Sequence, residues 1–136
     1  MQTIGVKKED FIMNGDNKVK TTERGWAGHF VSADRCKFRR NTLLEYKDIK
    51  IVVSSVGLMV SPDGSGFEEI GVDRYFETMC FYSNLKDTRY YDIDVRRQIF
   101  PHSNWQISEI NADDKANVMH DTIVAEMKGR MLSGEL

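Results

Sequence analysis

Between residues 26 and 95 apolar and polar side chains alternate in short runs, each closed by turn chemistry, which is the period-two pattern of β-strands. The pattern predicts strands over 26–31, 38–46, 49–56, 67–70, 74–82 and 90–95. Lys47-Asp48 reads as a tight hairpin turn, LKDT at 85–88 as a second, and SPDGSG at 61–66 as a loop. In the last strand Tyr91, Ile93 and Val95 point inward, while Asp92 and Asp94 form a wet face. After residue 110 the period changes. Ala116, Met119, Ile123, Met127 and Met131 recur at spacings of three and four, so they share one helix face. Asn111 is placed to cap this helix, with Asp114 in capping-box register. Asp113 and Asp114 lie at its positive end, Lys128 and Arg130 at its negative end, and Ser133-Gly134 stops it. A short helical turn is expected at 105–110.

Strands followed by helix predict an α+β fold: an antiparallel sheet of about five to six strands followed by one or two C-terminal α-helices. Residues 1–22 show no periodicity and predict a flexible N-terminal extension, from which Phe11, Ile12 and Met13 can dock as a short added strand. Residues 23–136 then form a single ligand-binding domain. The 74–82 strand carries Tyr75, Met79 and Phe81 on one face and Phe76, Cys80 and Tyr82 on the other. One helix of about 20 residues covers only one face of a sheet. The expectation is therefore that a second copy of the chain covers the other, the alternative being a small sheet that closes on itself.

Composition narrows the class. With 136 residues, 40% of them apolar and 29% charged, the chain has the makeup of one soluble domain. No apolar run approaches the roughly 20 residues of a membrane helix, and the N-terminal stretch lacks an apolar signal core. Two cysteines, Cys36 and Cys80, make no disulfide framework, so a cytoplasmic protein with reduced thiols is expected. A net charge of -2 argues against a general nucleic-acid binder. Yet Arg24, Arg35, Lys37, Arg39 and Arg40 face only Asp34 within one segment, a local charge of +4 that leaves -6 for the remainder. The block GWAGHFVSADRCKFRRNT, 25–42, threads aromatic rings through those cations.

Four chemistries compete for that block. Metal binding is disfavoured, because Cys36, Cys80, His29, His102 and His120 lack paired ligand spacing. Nucleophilic or ribonuclease chemistry needs Cys36 or a second histidine to meet His29, and no nucleophile motif is present. Arginines beside rings also suit single-stranded nucleic acid, though the basic run is short for a tracking groove. A compact phosphorylated ligand fits best. Arg35, Arg39, Arg40, Asn41 and Thr42 can contact phosphates, and Trp26, Phe30, Tyr75, Phe76 and Phe100 can stack a base. Alternation tempers this, since Arg39 and Arg40 point to opposite faces of a regular strand. The bland alternative is a solvated face, with one arginine in water and the other paired to an acid such as Glu45 or Glu77.

The block RGWAGHF-SADRC-FRRNTLLEY, followed by IVVSSVG, DRYFETMCFY and a helical C-terminus, resembles the first-described family of phage proteins that defeat bacterial Thoeris immunity. The likeness spans about residues 23 to 134, and the extension before Thr22 is longer than that family's. The resemblance implies an antiparallel sheet with C-terminal helices, assembled into dimers or trimers of dimers, that acts as a sponge in the infected host's cytoplasm. Such a protein does no chemistry and needs no cofactor or metal. It sequesters cyclic ADP-ribose isomers and, at a separate site, cyclic oligonucleotides. It also implies a pocket of an aromatic, an asparagine and arginines near subunit boundaries, roles that Phe100, Asn111 and Arg130 can fill here, with Lys128 as an alternative cation. The rival classes are a single-strand binder or histidine-dependent nuclease, and a protein-binding inhibitor of a host enzyme. On the sponge reading Arg40→Ala is expected to weaken ligand binding by about 2 kcal/mol or more.

Overall fold

The computed structural model of the chain describes residues 18–25, 33–71, 74–83, 93–105 and 112–136, with side chains at 33, 95, 100–105 and 112 outside the description. The expected strand at 26–31, the turn at 85–88, the docking of Phe11 to Met13 and the cap at Asn111 lie outside the described residues. What remains is an antiparallel sheet backed by one helix, as the change of period predicts. Six strands form it: β1 (Lys20–Glu23), β2 (Cys36–Tyr46), β3 (Ile49–Val60), β4 (Phe67–Glu68), β5 (Phe76–Ser83) and β6 (Ile93–Trp105). The spatial order is β1-β2-β3-β5-β6, with β4 added beside β3. A 3₁₀ turn, Ala33–Arg35, leads into β2, and helix α1 spans Ala112–Ser133.

The two-residue turn Lys47-Asp48 sets the register of the β2–β3 hairpin, which pairs Tyr46 with Ile49 and Thr42 with Val53. β3 lies between β2 and β5 and is buried from Ile51 to Gly57. That position explains its run of β-branched residues, because a central strand must satisfy a core on each side. On one side Ile123, Met127 and Met131 of α1 pack on Leu44, Ile51, Val53, Cys80 and Ile99. On the other, Val52, Phe81 and Ile93 are buried with Leu43 and Met79 against them. The centre of the second face is thus buried within one chain, with Leu43 and Met79 beside it only partly buried.

The structure departs from the sequence reading at β1 and along β6. Val19 is 3% exposed in the helix-side core, and β1 pairs with β2 from Lys20 to Glu23, so the domain begins before residue 23. Asp94, expected on a wet face, is buried, and its carboxylate accepts the Arg96 N–H at 3.1 Å. Trp105 closes β6, and the rest of the turn expected at 105–110 lies outside the described residues. The β5–β6 register slips between Thr78 and Cys80 and again between Phe81 and Ser83, so the simple alternation read for 90–95 does not carry along β6. Pro101 sits in β6 between Ile99 and Ser103, where the register with β5 slips and no pairing is formed at Pro101 itself.

The end of α1 follows its sequence signal. Gly134 has φ 85°, its N–H reaches the Met131 carbonyl at 3.3 Å, and the Glu135 N–H reaches Arg130 at 3.0 Å, a Schellman closure. Near the start of the helix, Ala116 packs on Phe38 and Phe76, whose rings meet edge-on at 5.5 Å. Gly57 makes that packing possible. A methyl group there would meet the Phe76 ring and stand 2.7 Å from the Tyr75 carbonyl oxygen. The next residue, Leu58, turns to φ 55° and donates its N–H to that same carbonyl at 2.9 Å, redirecting the end of β3. Gly57→Ala is therefore expected to cost about 1–3 kcal/mol, read from urea unfolding. A neutral result would show that Phe76 can move aside.

Candidate functional site

Strand alternation divides the basic block between two environments. Arg40 and Thr42 face α1, and Lys37, Arg39 and Asn41 face the other way.

The helix-side half is a closed polar network. The Arg40 guanidinium grips Glu23 through Nε at 3.2 Å and Nη2 at 3.0 Å, and its Nη1 donates to Asp121 at 2.9 Å and to the Asn117 side chain at 3.2 Å. The Thr42 hydroxyl stands 2.7 Å from Glu23 Oε2 and 2.7 Å from His120 Nε2. His120 Nδ1 lies 2.7 Å from Ser55 Oγ, which lies 2.6 Å from Thr78 Oγ1.

Proton counting fixes the direction of this chain. A carboxylate only accepts, so Thr42 spends its one hydrogen on Glu23 and must accept from His120 Nε2–H. Nδ1 of a neutral imidazole then accepts from Ser55, and Ser55 accepts from Thr78. His120 is fully buried. Burial, aided by the Arg40 charge, pushes its imidazole down to about 4 and keeps it neutral near pH 7. For Glu23 burial acts upward, but the hydrogen bonds from Arg40 and Thr42 outweigh it and hold the carboxyl below its ordinary value.

Ser55, Thr78 and His120 are all inaccessible to solvent. The serine–histidine contact therefore joins the helix to the sheet and presents no nucleophile. A cavity of about 320 Å³ touches only the outer end of the network, at Thr21, Glu23, Arg40, Thr42, Asp121 and Lys128.

The other half is open. Asp34, Arg35, Lys37, Arg39, Val60 and Pro62 line a solvent-open depression of about 740 Å³. Arg35 is clamped at its rim, with Nε and Nη2 on the Val60 carbonyl at 3.3 and 3.0 Å and Nη2 on Glu68 at 3.2 Å. Its Nη1 makes no hydrogen bond among the described residues. Arg39 is exposed and makes no hydrogen bond or ion pair among the described residues. The Lys37 ammonium lies 5.7 Å from the centre of the Phe67 ring. Farther along this face Asn41 is fully buried, with Oδ1 accepting from Arg24 Nε at 2.7 Å and Nδ2 left without a partner among the described residues.

The predicted binding residues thus scatter. Arg35 and Arg39 share the open depression. Arg40 and Thr42 belong to the internal network, so Arg40, expected among the ligand-binding residues, is the arginine of the pair that meets internal acids, and alternation separates it from Arg39 as the sequence indicated. Asn41 and Phe76 are fully buried, and Phe76 is filled against by Phe38 and Ala116, which leaves it no face for a base. Arg130 pairs with Glu135 at 3.0 Å at the end of α1, away from both cavities. Phe100 falls in β6 with its side chain outside the description, and Trp26 and Asn111 lie outside the described residues, as does His29. Cys36 is 4% exposed, and burial pushes its thiol up to about 11, which disfavours the thiolate that nucleophilic chemistry needs. Cys80 is pushed up to about 12 by burial. No group of three or more His, Cys, Asp or Glu placed to hold a metal occurs among the described residues. No helix among them is long and apolar enough to cross a membrane.

Sequence reasoning missed His120, Glu23 and Asp121, and on the open side Lys37 and Phe67. The signal for His120 was present, since it stands four residues after Ala116 and three before Ile123, inside the apolar stripe. No family model, curated protein or solved structure matches the chain.

The neutral, buried imidazole has a measurable consequence. Unfolded, His120 titrates near 6.5, and folded, near 4. As pH falls the unfolded chain binds the proton first, so stability is full above 6.5 and drops by about 3 kcal/mol on the way to pH 4. Glu23 adds its own loss as pH falls below 4.5 through its lowered folded value. Urea midpoints between pH 7.5 and 4.5 should fall for the wild type and vary less for His120→Gln. Equal slopes for the two proteins would show that His120 is not held neutral.

Proposed function

We propose that the chain is a non-enzymatic binding protein that sequesters small cyclic nucleotide signals, cyclic ADP-ribose isomers first and cyclic oligonucleotides second. By this capture it blunts an anti-phage response in the host cytoplasm. The observation that carries the reading is the open depression, where Arg39, Lys37 and Nη1 of Arg35 hold donors that no acceptor among the described residues uses. Planar guanidinium forks and an ammonium around one hollow are the chemistry that phosphate oxygens select. The likeness of residues 23 to 134, from RGWAGHF-SADRC-FRRNTLLEY onward, to the Thoeris anti-defence family supports this ligand class. The described lining holds no histidine, its thiol is kept protonated, and Asp34 is its one carboxylate, which supports binding over nucleophilic chemistry there.

A sponge competes with a signalling receptor and needs nanomolar affinity, on the order of -12 kcal/mol. A depression open to water leaves one side of a small ligand solvated, and such affinity requires enclosure. In the proposed function a second copy of the chain supplies the missing wall.

Calorimetry with cyclic ADP-ribose isomers and cyclic oligonucleotides tests the proposal, with the ligand recovered chemically intact. Arg39→Ala is expected to weaken binding about tenfold or more, the loss of one charge-assisted contact. Arg40→Ala, by contrast, is expected to leave the affinity of the folded protein within about twofold and to cost about 1–3 kcal/mol of stability. Absence of binding by every ligand would remove the reading, and turnover of the ligand would replace it with an enzyme.

A further inference from the structure

Phe67 is one of two large apolar side chains left exposed among the described residues, at 46%. Its position is not incidental. It lies in the two-residue strand β4, paired with Val60, and Val60 lines the open depression. Lys37, another lining residue, carries its ammonium to 5.7 Å from the ring centre. The adjoining residue, Glu68, fixes Arg35 at the rim through a 3.2 Å ion pair. One short strand therefore presents an aromatic face and orients the guanidinium beside it. Leu58, at φ 55°, redirects the end of β3 on which that strand is hung.

We infer that Phe67 is the stacking platform of this site, and that the ligand it takes is a nucleotide whose base lies on the ring while its phosphates reach Arg35, Lys37 and Arg39. This rests on the proposed binding function and deepens it by separating the base-reading group from the phosphate-reading ones. An exposed phenyl ring loses water-contacting area when a base covers it, and base–aromatic stacking tolerates any purine or pyrimidine, since each has a π-face. The Lys37 ammonium already sits at the ring, so cation, ring and base can share one column, as at single-strand binding surfaces. Glu68 neutralises one half of Arg35 and leaves Nη1 directed by the clamp, a preorganised donor that loses little freedom when it meets a phosphate. Phe67 does not line the depression itself but adjoins it through Val60 and Lys37, and none of the described lining residues is aromatic, so the nearest exposed ring is the one beside the rim.

The experiment compares full-length wild type, Phe67→Leu and Phe67→Trp, with a cyclic ADP-ribose isomer and ADP-ribose as base-bearing probes and inorganic pyrophosphate as the base-free probe. Leucine keeps the apolar bulk and removes the π-face, and tryptophan enlarges the face. The expected result is about tenfold or greater weakening of the nucleotide by Phe67→Leu, retention or gain with Phe67→Trp, and pyrophosphate affinity unchanged within about twofold across all three. Equal nucleotide affinity for wild type and Phe67→Leu overturns the inference while leaving the binding function standing. Pyrophosphate that binds wild type as tightly as the nucleotides do also overturns it, because no base is being read. If no probe binds wild type, the proposed function fails and the inference falls with it. Circular dichroism of the variants separates these outcomes from misfolding, and Phe67→Met, which likewise keeps apolar bulk and removes the π-face, replaces Phe67→Leu if that variant does not fold.

Discussion

One imidazole holds the layers of this protein together. His120 leaves α1, meets Thr42 on β2 with one nitrogen and Ser55 on β3 with the other, and through Ser55 reaches Thr78 on β5. Hydrophobic contacts between α1 and the sheet supply most of the driving force, but they are non-directional and tolerate sliding. The hydrogen-bonded column does not. A slip of α1 by one turn would leave both nitrogens of a buried imidazole unpaired, each at about 1–3 kcal/mol, and would cost Thr42 and Ser55 their contacts with it. The column therefore selects one docking register from those that the apolar stripe would accept. Its direction runs to Glu23, which Arg40 then holds, so β1 is drawn into the same arrangement.

That commitment decides what β2 can offer to the outside. Arg40 and Thr42 are consumed by the column, and successive residues of a strand face opposite ways, so Arg39 is carried to the far side. Two adjacent arginines thus acquire different trades. Arg40 is half-buried between Glu23 and Asp121, which together outweigh the effect of burial and keep its charge firmly in place. Arg39 has no such acceptor among the described residues. The local charge of +4 that stands out in the sequence is in good part internal counter-charge, and the fraction able to attract a ligand is what remains on the open face.

The strands, the 47–48 hairpin and the helix were legible because each depends on spacing within about 20 residues: alternation on β2, a run of valines on β3, and a three-four stripe ending at Gly134. The hinge between the two arginines was legible for the same reason. His120 was not read as a network residue, because its partners are 65 to 78 residues away and their identity depends on strand register. Asp94 was misread because alternation presumes an unbroken ladder, and the β5–β6 register slips beside it. Phe67 was overlooked for a related reason. An aromatic between Gly66 and Glu68 looks like a core strand residue, and only a β4 of two residues, placed beside the redirected end of β3, leaves the ring in water.

Burial of the centre of both sheet faces within one chain also constrains how copies can associate in the proposed function. A second copy attracted by an uncovered apolar sheet would bind constitutively, because the buried area alone would hold it. Here Val52, Phe81 and Ile93 already use that area internally. A second copy must instead approach at the rim of the depression, where the surface is cationic and like charges of two chains repel. An anionic ligand placed between the rims removes that repulsion and adds contacts to both. Association and binding are then one linked equilibrium, in which each strengthens the other by the same factor. The open depression of a single chain is what such an equilibrium requires, since a site already closed would gain nothing from a partner.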